Sequence, residues 1–299
     1  MTRIRSTDSS RVQDRRGQGG GGGLAFPGLG GGGGGLGLPM KSGGGLIGLL
    51  IVAAIIFLPK LFGGSTSNLT GGGGGEVATG DDDTCESDLE QTLCGANEDV
   101  QDFWEREYPS AFGSEFDDTD MVFFSGSVAT GCGTASSQTG PFYCPADRYV
   151  YFDLDFLVQL QDQFGATGDL AAQYIVAHEF GHHVQNLTGQ NQPPSDFQGT
   201  ENQWSVLVEL QADCYAGVWA QDAAQREDRN GLPLFEEGEI NEAINAAGAV
   251  GDDRIQMQTQ GRTNPETYTH GTSEQRQTAF KTGYTTGDPA ECDPRSWLT

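Results

Sequence analysis

Three of the four histidines in this chain fall within six residues, and the stretch His178-Glu179-Phe180-Gly181-His182 places two imidazoles four residues apart with a carboxylate directly after the first. On an α-helix that spacing puts both rings on one face, about 6 Å apart, so that both can meet one Zn2+ at about 2.0–2.1 Å. Glu179 lies about 100° further round the helix. It can therefore take a proton from a water at the open side of the cation without being a ligand itself. A zinc site of this kind needs a third protein ligand and one coordination position left for water.

Three sources of that ligand compete. The longer metzincin motif requires Gly and His where this chain has Gln185 and Thr188, so it fails. His270 is far along the chain, in Thr-His-Gly-Thr-Ser, where nothing in the pattern sets its direction. Residues 204–220, WSVLVELQADCYAGVWA, form the strongest source. Leu207, Leu210, Cys214, Val218 and Trp219 make a helical apolar stripe, and Ala212, Ala216, Gly217 and Ala220 would let another helix approach closely. Glu209 and Asp213 sit one turn apart in this apolar setting, where unpaired carboxylates are expensive to bury. Glu209 as third ligand and Asp213 as acceptor for a ligand histidine N–H would compensate both.

The elements that must position these groups read as an α+β domain. Apolar residues at three- and four-residue steps predict a helix over 169–188, stopped at Gly189. Further helices are expected over 101–108, 155–164, 203–228 and 236–249, and strands over 121–128 and 148–155. The second strand, ahead of the metal helix, belongs in a small sheet to which an extended peptide could add. Cys132 and Cys144 bracket a loop at the rim of the expected cleft.

Together, His178–Gln185, Glu209–Ala220 and the segment His270-Gly-Thr-Ser-Glu-Gln-Arg276 resemble the bacterial putative neutral zinc metallopeptidases, and the opening Arg11–Gly17 is similar to the start of that family. The H-E-x-x-H plus downstream E-x-x-x-D pattern is also similar to that of gluzincin peptidases. The resemblance implies a zincin-like fold with His178, His182 and Glu209 as zinc ligands and Glu179 as general base. It supplies no substrate.

Charge and hydropathy suggest a place for the domain. Residues 1–45 carry five arginines and Lys41 against Asp8 and Asp14, and Leu46–Leu58 is an uncharged apolar run. With its flanks, Gly43 to Phe62 gives about 20 residues if Lys60 snorkels, which suffices for one span of a bilayer about 30 Å thick. The expected organisation is a basic Gly-rich cytoplasmic tail over 1–45, a single transmembrane helix over 46–62 and a Gly-rich linker over 63–84. A zinc metallopeptidase domain over 85–299 would follow, outside the cell membrane. A cleaved signal sequence is the rival reading of the apolar run.

All six cysteines follow that run, which suits disulfides in an exported domain. Pairing 85 with 94 and 132 with 144 gives the easiest local closures and leaves Cys214 for Cys292. After Lys60 the chain holds 40 of its 42 acids and nine of its 16 bases. Such negative charge argues against nucleic acid as a partner.

The expected function is a membrane-anchored, zinc-dependent endopeptidase acting on protein or peptide substrates, with Glu179 activating water. His270 is the candidate second donor to the developing oxyanion. Tyr215, Tyr268 and Arg276 are further candidates for substrate contacts, and His183 for packing. A catalytically inactive zincin-fold envelope interaction protein, and a metal-dependent hydrolase of other bonds, are the alternatives.

Overall fold

The computed structural model describes residues 2–17, 83–158, 168–236 and 238–297. Helix α1 (Asp88–Phe112) opens on a capping box, with Ser87 accepting from the Glu90 N–H and Glu90 accepting from the Ser87 N–H. Its start lies well ahead of the expected Gln101. Gly95 weakens the helical pattern in sequence, but a Cβ there would stand 2.6–2.9 Å from backbone atoms of Arg5. The glycine is needed because an N-terminal arm lies against the helix.

That arm, residues 2–17, contributes β1 (Val12–Asp14). With β2 (Met121–Phe124), β5 (Phe142–Cys144) and β6 (Tyr149–Asp153) it forms a four-stranded sheet in the order β1-β2-β6-β5. β1 and β6 run parallel to β2, and β5 runs antiparallel to β6. Alternation along the strands sends Met121, Phe123, Val150 and Phe152 to the helices. Val122, Phe124 and Tyr151 face a second cluster with Val128 and Ala135. Those two belong to the hairpin of β3 (Ser127–Thr130) and β4 (Gly133–Ser136). All four residues of β2 are buried because both faces of the sheet are covered. The single strand expected over 121–128 is broken at Gly126, whose φ of 76° turns the chain into the hairpin.

Helix α2 (Asp169–Thr188) has the expected bounds and ends on Gly189 in the left-handed region. α3 (Glu201–Ala224) begins at a Thr200/Gln203 capping box and stops short of the expected residue 228. α4 (Ile240–Ala249) is shorter than expected, and α5 (Asp252–Gln260) and α6 (Ser273–Thr286) were not expected. Residues 154–158 are helical, and the rest of the helix expected over 155–164 lies outside the described residues.

The small-residue face of α3 admits its neighbours closely. A Cβ on Gly217 would stand 2.1 Å from the Phe280 carbonyl oxygen of α6, and one on Gly283 would stand 1.9 Å from the Cys214 carbonyl oxygen. The disulfides are Cys85–Cys94, Cys132–Cys144 and Cys214–Cys292, the expected set.

The division into a separate tail and domain needs correction for residues 2–17, which pack into the domain. Ile4 is 5% exposed and its carbonyl accepts from Gln173 of α2. The expected membrane span over 46–62, the Gly-rich tracts and nearly all of the linker lie outside the described residues. Among the described residues no helix is long and apolar enough to cross a membrane.

Candidate functional site

The site forms where α2 crosses α3. Gly181, the small residue inside the histidine motif, makes the crossing close: a Cβ there would stand 2.8 Å from the Cα of Ala212. This brings Glu209, one turn before Ala212, to the two histidines. Its Oε2 lies 3.3 Å from His178 Nε2 and its Oε1 lies 3.5 Å from His182 Nε2. Ligand atoms of all three residues fall within 4.8 Å of one another. Tetrahedral ligands about 2.0–2.1 Å from Zn2+ stand about 3.3–3.4 Å apart, so the separations suit one cation.

The hydrogen bonds behind the rings fix which nitrogen faces the centre. His178 Nδ1 is 2.9 Å from Asp213 Oδ1. An ionised carboxylate only accepts, so Nδ1 carries the proton and neutral His178 presents the Nε2 lone pair. His182 Nδ1 is 2.8 Å from Gln185 Oε1, while the Gln185 amide donates to the Val208 carbonyl and to Gln211 Oε1. Gln185 therefore does for His182 what Asp213 does for His178. Buried Glu209 Oε2 has no hydrogen-bond partner and faces His178 Nε2 at 3.3 Å. When His178 is neutral its Nε2 lone pair faces that oxygen, and the two repel unless a cation lies between them. That orphaned oxygen, with two imidazoles and a carboxylate as donor set, fits Zn2+.

Charge in the site is set by burial and by close partners. Burial pushes the His178 imidazole down, but Asp213 and Glu209 outweigh it and hold it at about 9 in the zinc-free protein. Burial would raise Glu209, yet His182 and His178 keep it well below the usual carboxylate range. Glu179 moves the other way. It is 1% exposed, and burial raises its pKa against the pull of the two histidines. A carboxylate lifted from its ordinary value is a better proton acceptor.

Asp213 is fully buried and accepts from three partners. Arg276 Nε and Nη2 reach its two oxygens at 2.7 and 2.9 Å, the Tyr174 hydroxyl donates to Oδ1, and His178 shares that oxygen. Arg276 is 2% exposed, which corrects its reading as a substrate contact: it braces the ligand set from behind. Tyr215 is likewise buried, with its hydroxyl donating to Gln190. His183 packs as expected, between the Tyr143 hydroxyl and the Asp117 carbonyl. Burial lowers it to about 4.

His270 is not among the grouped ligands. The Oδ2 of Asp252 accepts from the backbone N–H groups of Thr269, His270 and Gly271, and its Oδ1 lies 3.2 Å from His270 Nδ1. The loop rests on α3, with Ser205 donating to the Thr269 carbonyl and Gly271 against Val206 and Leu210. His270 is close enough for its charge to help lower Glu209. Asp252 turns the Nδ1 edge of the ring to itself, leaving Nε2 as the other edge.

Tyr174, Gln185 and Asp252 escaped the sequence reading. Gln185 follows His182 by three residues and Tyr174 precedes His178 by four, so both lie on the ligand face. Asp252 has no such local signal, because its partner is 18 residues away.

An uncharacterised protein of Mycobacterium tuberculosis is 55% identical over 179 residues, covering 58% of this chain and 61% of its own length. A Mycobacterium bovis protein matches to the same extent, so the alignment spans about 61% of these mycobacterial relatives. The uncharacterised protein YpfJ of Escherichia coli K12 is 37% identical over 291 residues, 96% of each chain. No solved structure matches at a significant level. The family described as putative neutral zinc metallopeptidase matches residues 1–294, and the chain belongs to it.

Proposed function

We propose that the protein is a zinc-dependent endopeptidase acting on extended segments of protein or peptide. The observation that carries this reading is the convergence of His178, His182 and Glu209 around a buried carboxylate oxygen without a donor, with Glu179 beside them. When bound there, zinc would supply Lewis acidity, lowering the pKa of water and polarising a carbonyl.

The remaining steps belong to the chain. Glu179, raised by burial, accepts the proton of the attacking water and returns it to the departing amine. His270, oriented by Asp252, donates to the oxygen on which negative charge develops. Asp213 and Gln185 hold the rings in one tautomer, and Arg276 keeps Asp213 ionised. His182 is the more exposed of the two ligand histidines, which puts the open side of the site at its edge. Among the described residues β5 pairs only with β6. Its other edge offers backbone groups to an extended chain.

Glu179→Gln tests the reading directly. The variant should keep its zinc, measured by elemental analysis, and lose about 10²–10⁴-fold in hydrolysis of a peptide library. Full activity would remove Glu179 as the base. Zinc-free protein that still cleaves would end the proposal.

A further inference from the structure

The two ligand histidines are held from behind by different means. His178 leans on the charged Asp213, which is itself pinned by Arg276 and Tyr174. His182 has a neutral partner, the Gln185 amide, and a neutral acceptor makes a weaker bond than a carboxylate. An amide can also turn either its oxygen or its NH2 to a ring. What lies behind Gln185 therefore decides whether His182 keeps Nε2 toward the metal position.

Both hydrogens of the Gln185 NH2 are used. One goes to the Val208 carbonyl at 2.7 Å and the other to Gln211 Oε1 at 3.0 Å. Gln211 can offer that oxygen because its own NH2 donates to the Cys292 carbonyl at 2.8 Å. A backbone carbonyl only accepts, so direction is set from the far end. Cys292 orients Gln211, Gln211 and Val208 orient Gln185, and Gln185 orients the ring. Gln185, Gln211 and Cys292 are each 1% exposed or less, so bulk solvent does not compete for these bonds.

The third disulfide brings the Cys292 carbonyl to this place. Cys214 stands three residues after Gln211 on α3, so the two side chains share a face of the helix. The bond from Cys214 to Cys292 holds the turn Pro289–Cys292 against that face, with the two Cα atoms 5.6 Å apart. The bonds of Asp213 to Arg276 and Tyr174 do not involve this turn. A loosened turn would thus release His182 and leave His178 in place.

We propose that Gln211 is a positioning residue for the zinc ligand His182, and that the C-terminal turn, clipped to α3 by Cys214–Cys292, is part of the metal site. The inference rests on the zinc reading above. It gives the disulfide a task beyond stability, because the bond sets the direction of a buried row of amides that ends on an imidazole. Zinc is held at full affinity only when the turn is clipped.

The test uses full-length protein labelled with 15N-histidine, in which four imidazoles give few enough signals to resolve. Gln211→Met, which keeps the length of the side chain and loses both bonds, is compared with Cys214→Ala/Cys292→Ala and with the control Cys85→Ala/Cys94→Ala. Zinc affinity by chelator competition should fall about 10-fold in the first two, the lower end of the loss expected when a ligand's outer partner is removed. In the zinc-loaded proteins the His182 ring N–H should exchange with solvent faster by a similar factor. The His178 ring N–H should not change, and the control should match the unaltered protein in both measurements. Full affinity in Gln211→Met, or equal acceleration at both rings, would overturn the positioning role, since a general loosening of the fold spares neither ring. An equal loss in the control, or a Cys214→Ala/Cys292→Ala protein that fails to fold, would overturn the separate part given to the clip. An unaltered protein that takes up no zinc would overturn the zinc reading itself, whereas zinc-loaded variants that behave as the unaltered protein would overturn this inference alone.

Discussion

Replacing Gly181 by alanine adds one methyl group where α2 and α3 are closest. That carbon would stand 2.8 Å from the Cα, 3.0 Å from the carbonyl oxygen and 3.1 Å from the Cβ of Ala212. Favourable carbon contacts lie at about 3.5–4.0 Å, so the helices must part by roughly 0.5–1 Å. Two effects oppose each other in stability. Alanine is better than glycine in a helix interior by roughly 0.5–1 kcal/mol, whereas overpacking costs typically about 1–3 kcal/mol. The expected net loss is about 1 kcal/mol. The effect on the metal is larger, because Glu209 moves with α3 while His178 and His182 stay on α2, and such sites tolerate about 0.5 Å of misplacement. Zinc affinity, measured by competition with a chromophoric chelator, should fall about 10–100-fold. Adding Ala212→Gly removes only the 3.1 Å contact, so it should restore part of the loss. A Gly181→Ala protein that is more stable and binds zinc as tightly as before would refute the claim that this crossing sets the site.

Three other outcomes are expected. Arg276→Gln leaves a fully buried carboxylate without its main partner and should destabilise the protein by about 3–5 kcal/mol. The Arg276→Gln/Asp213→Asn double variant should be less affected than the sum of the single changes, and strict additivity in denaturant unfolding would count against the pair. His183, held at about 4 by burial, stays neutral in the fold while the unfolded chain takes up its proton near pH 6.5. Stability of the zinc-free protein should fall from about pH 6.5 to about pH 4, by on the order of 3 kcal/mol, and His183→Gln should flatten that limb in pH-dependent unfolding. His178 has the opposite sign. Its pKa of about 9 in the zinc-free fold gives stability that is full below pH 6.5 and lost as pH rises towards 9. Zinc binding at pH 7.5 should therefore release protons, seen as a buffer-dependent heat in titration calorimetry. Buffer-independent heat would argue against His178 Nε2 as a ligand.

The chemistry was legible because it is local. His178, Glu179 and His182 lie within one and a half turns of a helix whose apolar period and Gly189 stop gave its bounds. Glu209 and Asp213 stood out because two acids one turn apart in an apolar stripe demand a partner. The tertiary supports were harder to read. Gly95 looks like a weak point in α1 until the arm is laid against it, and the parallel pairing of β1 with β2 joins parts of the chain that carry no shared signal. Thr272-Ser-Glu-Gln275, the capping box that opens α6, was visible as letters. Its helix carries no apolar period to announce it because its interior is polar, with Arg276 turned inward to Asp213.

The pairing of Val12–Asp14 with Met121–Phe123 bears on how the protein is made. Among the described residues β1 is an edge strand, and its partner β2 is synthesised only after α1, so closing the sheet is a late, non-local event. A chain trimmed behind the apolar run would fold without that strand. The bare edge of β2, with its run Met121-Val-Phe-Phe124, would then be a template for pairing with other molecules, and such a fragment should aggregate where the intact chain stays monodisperse.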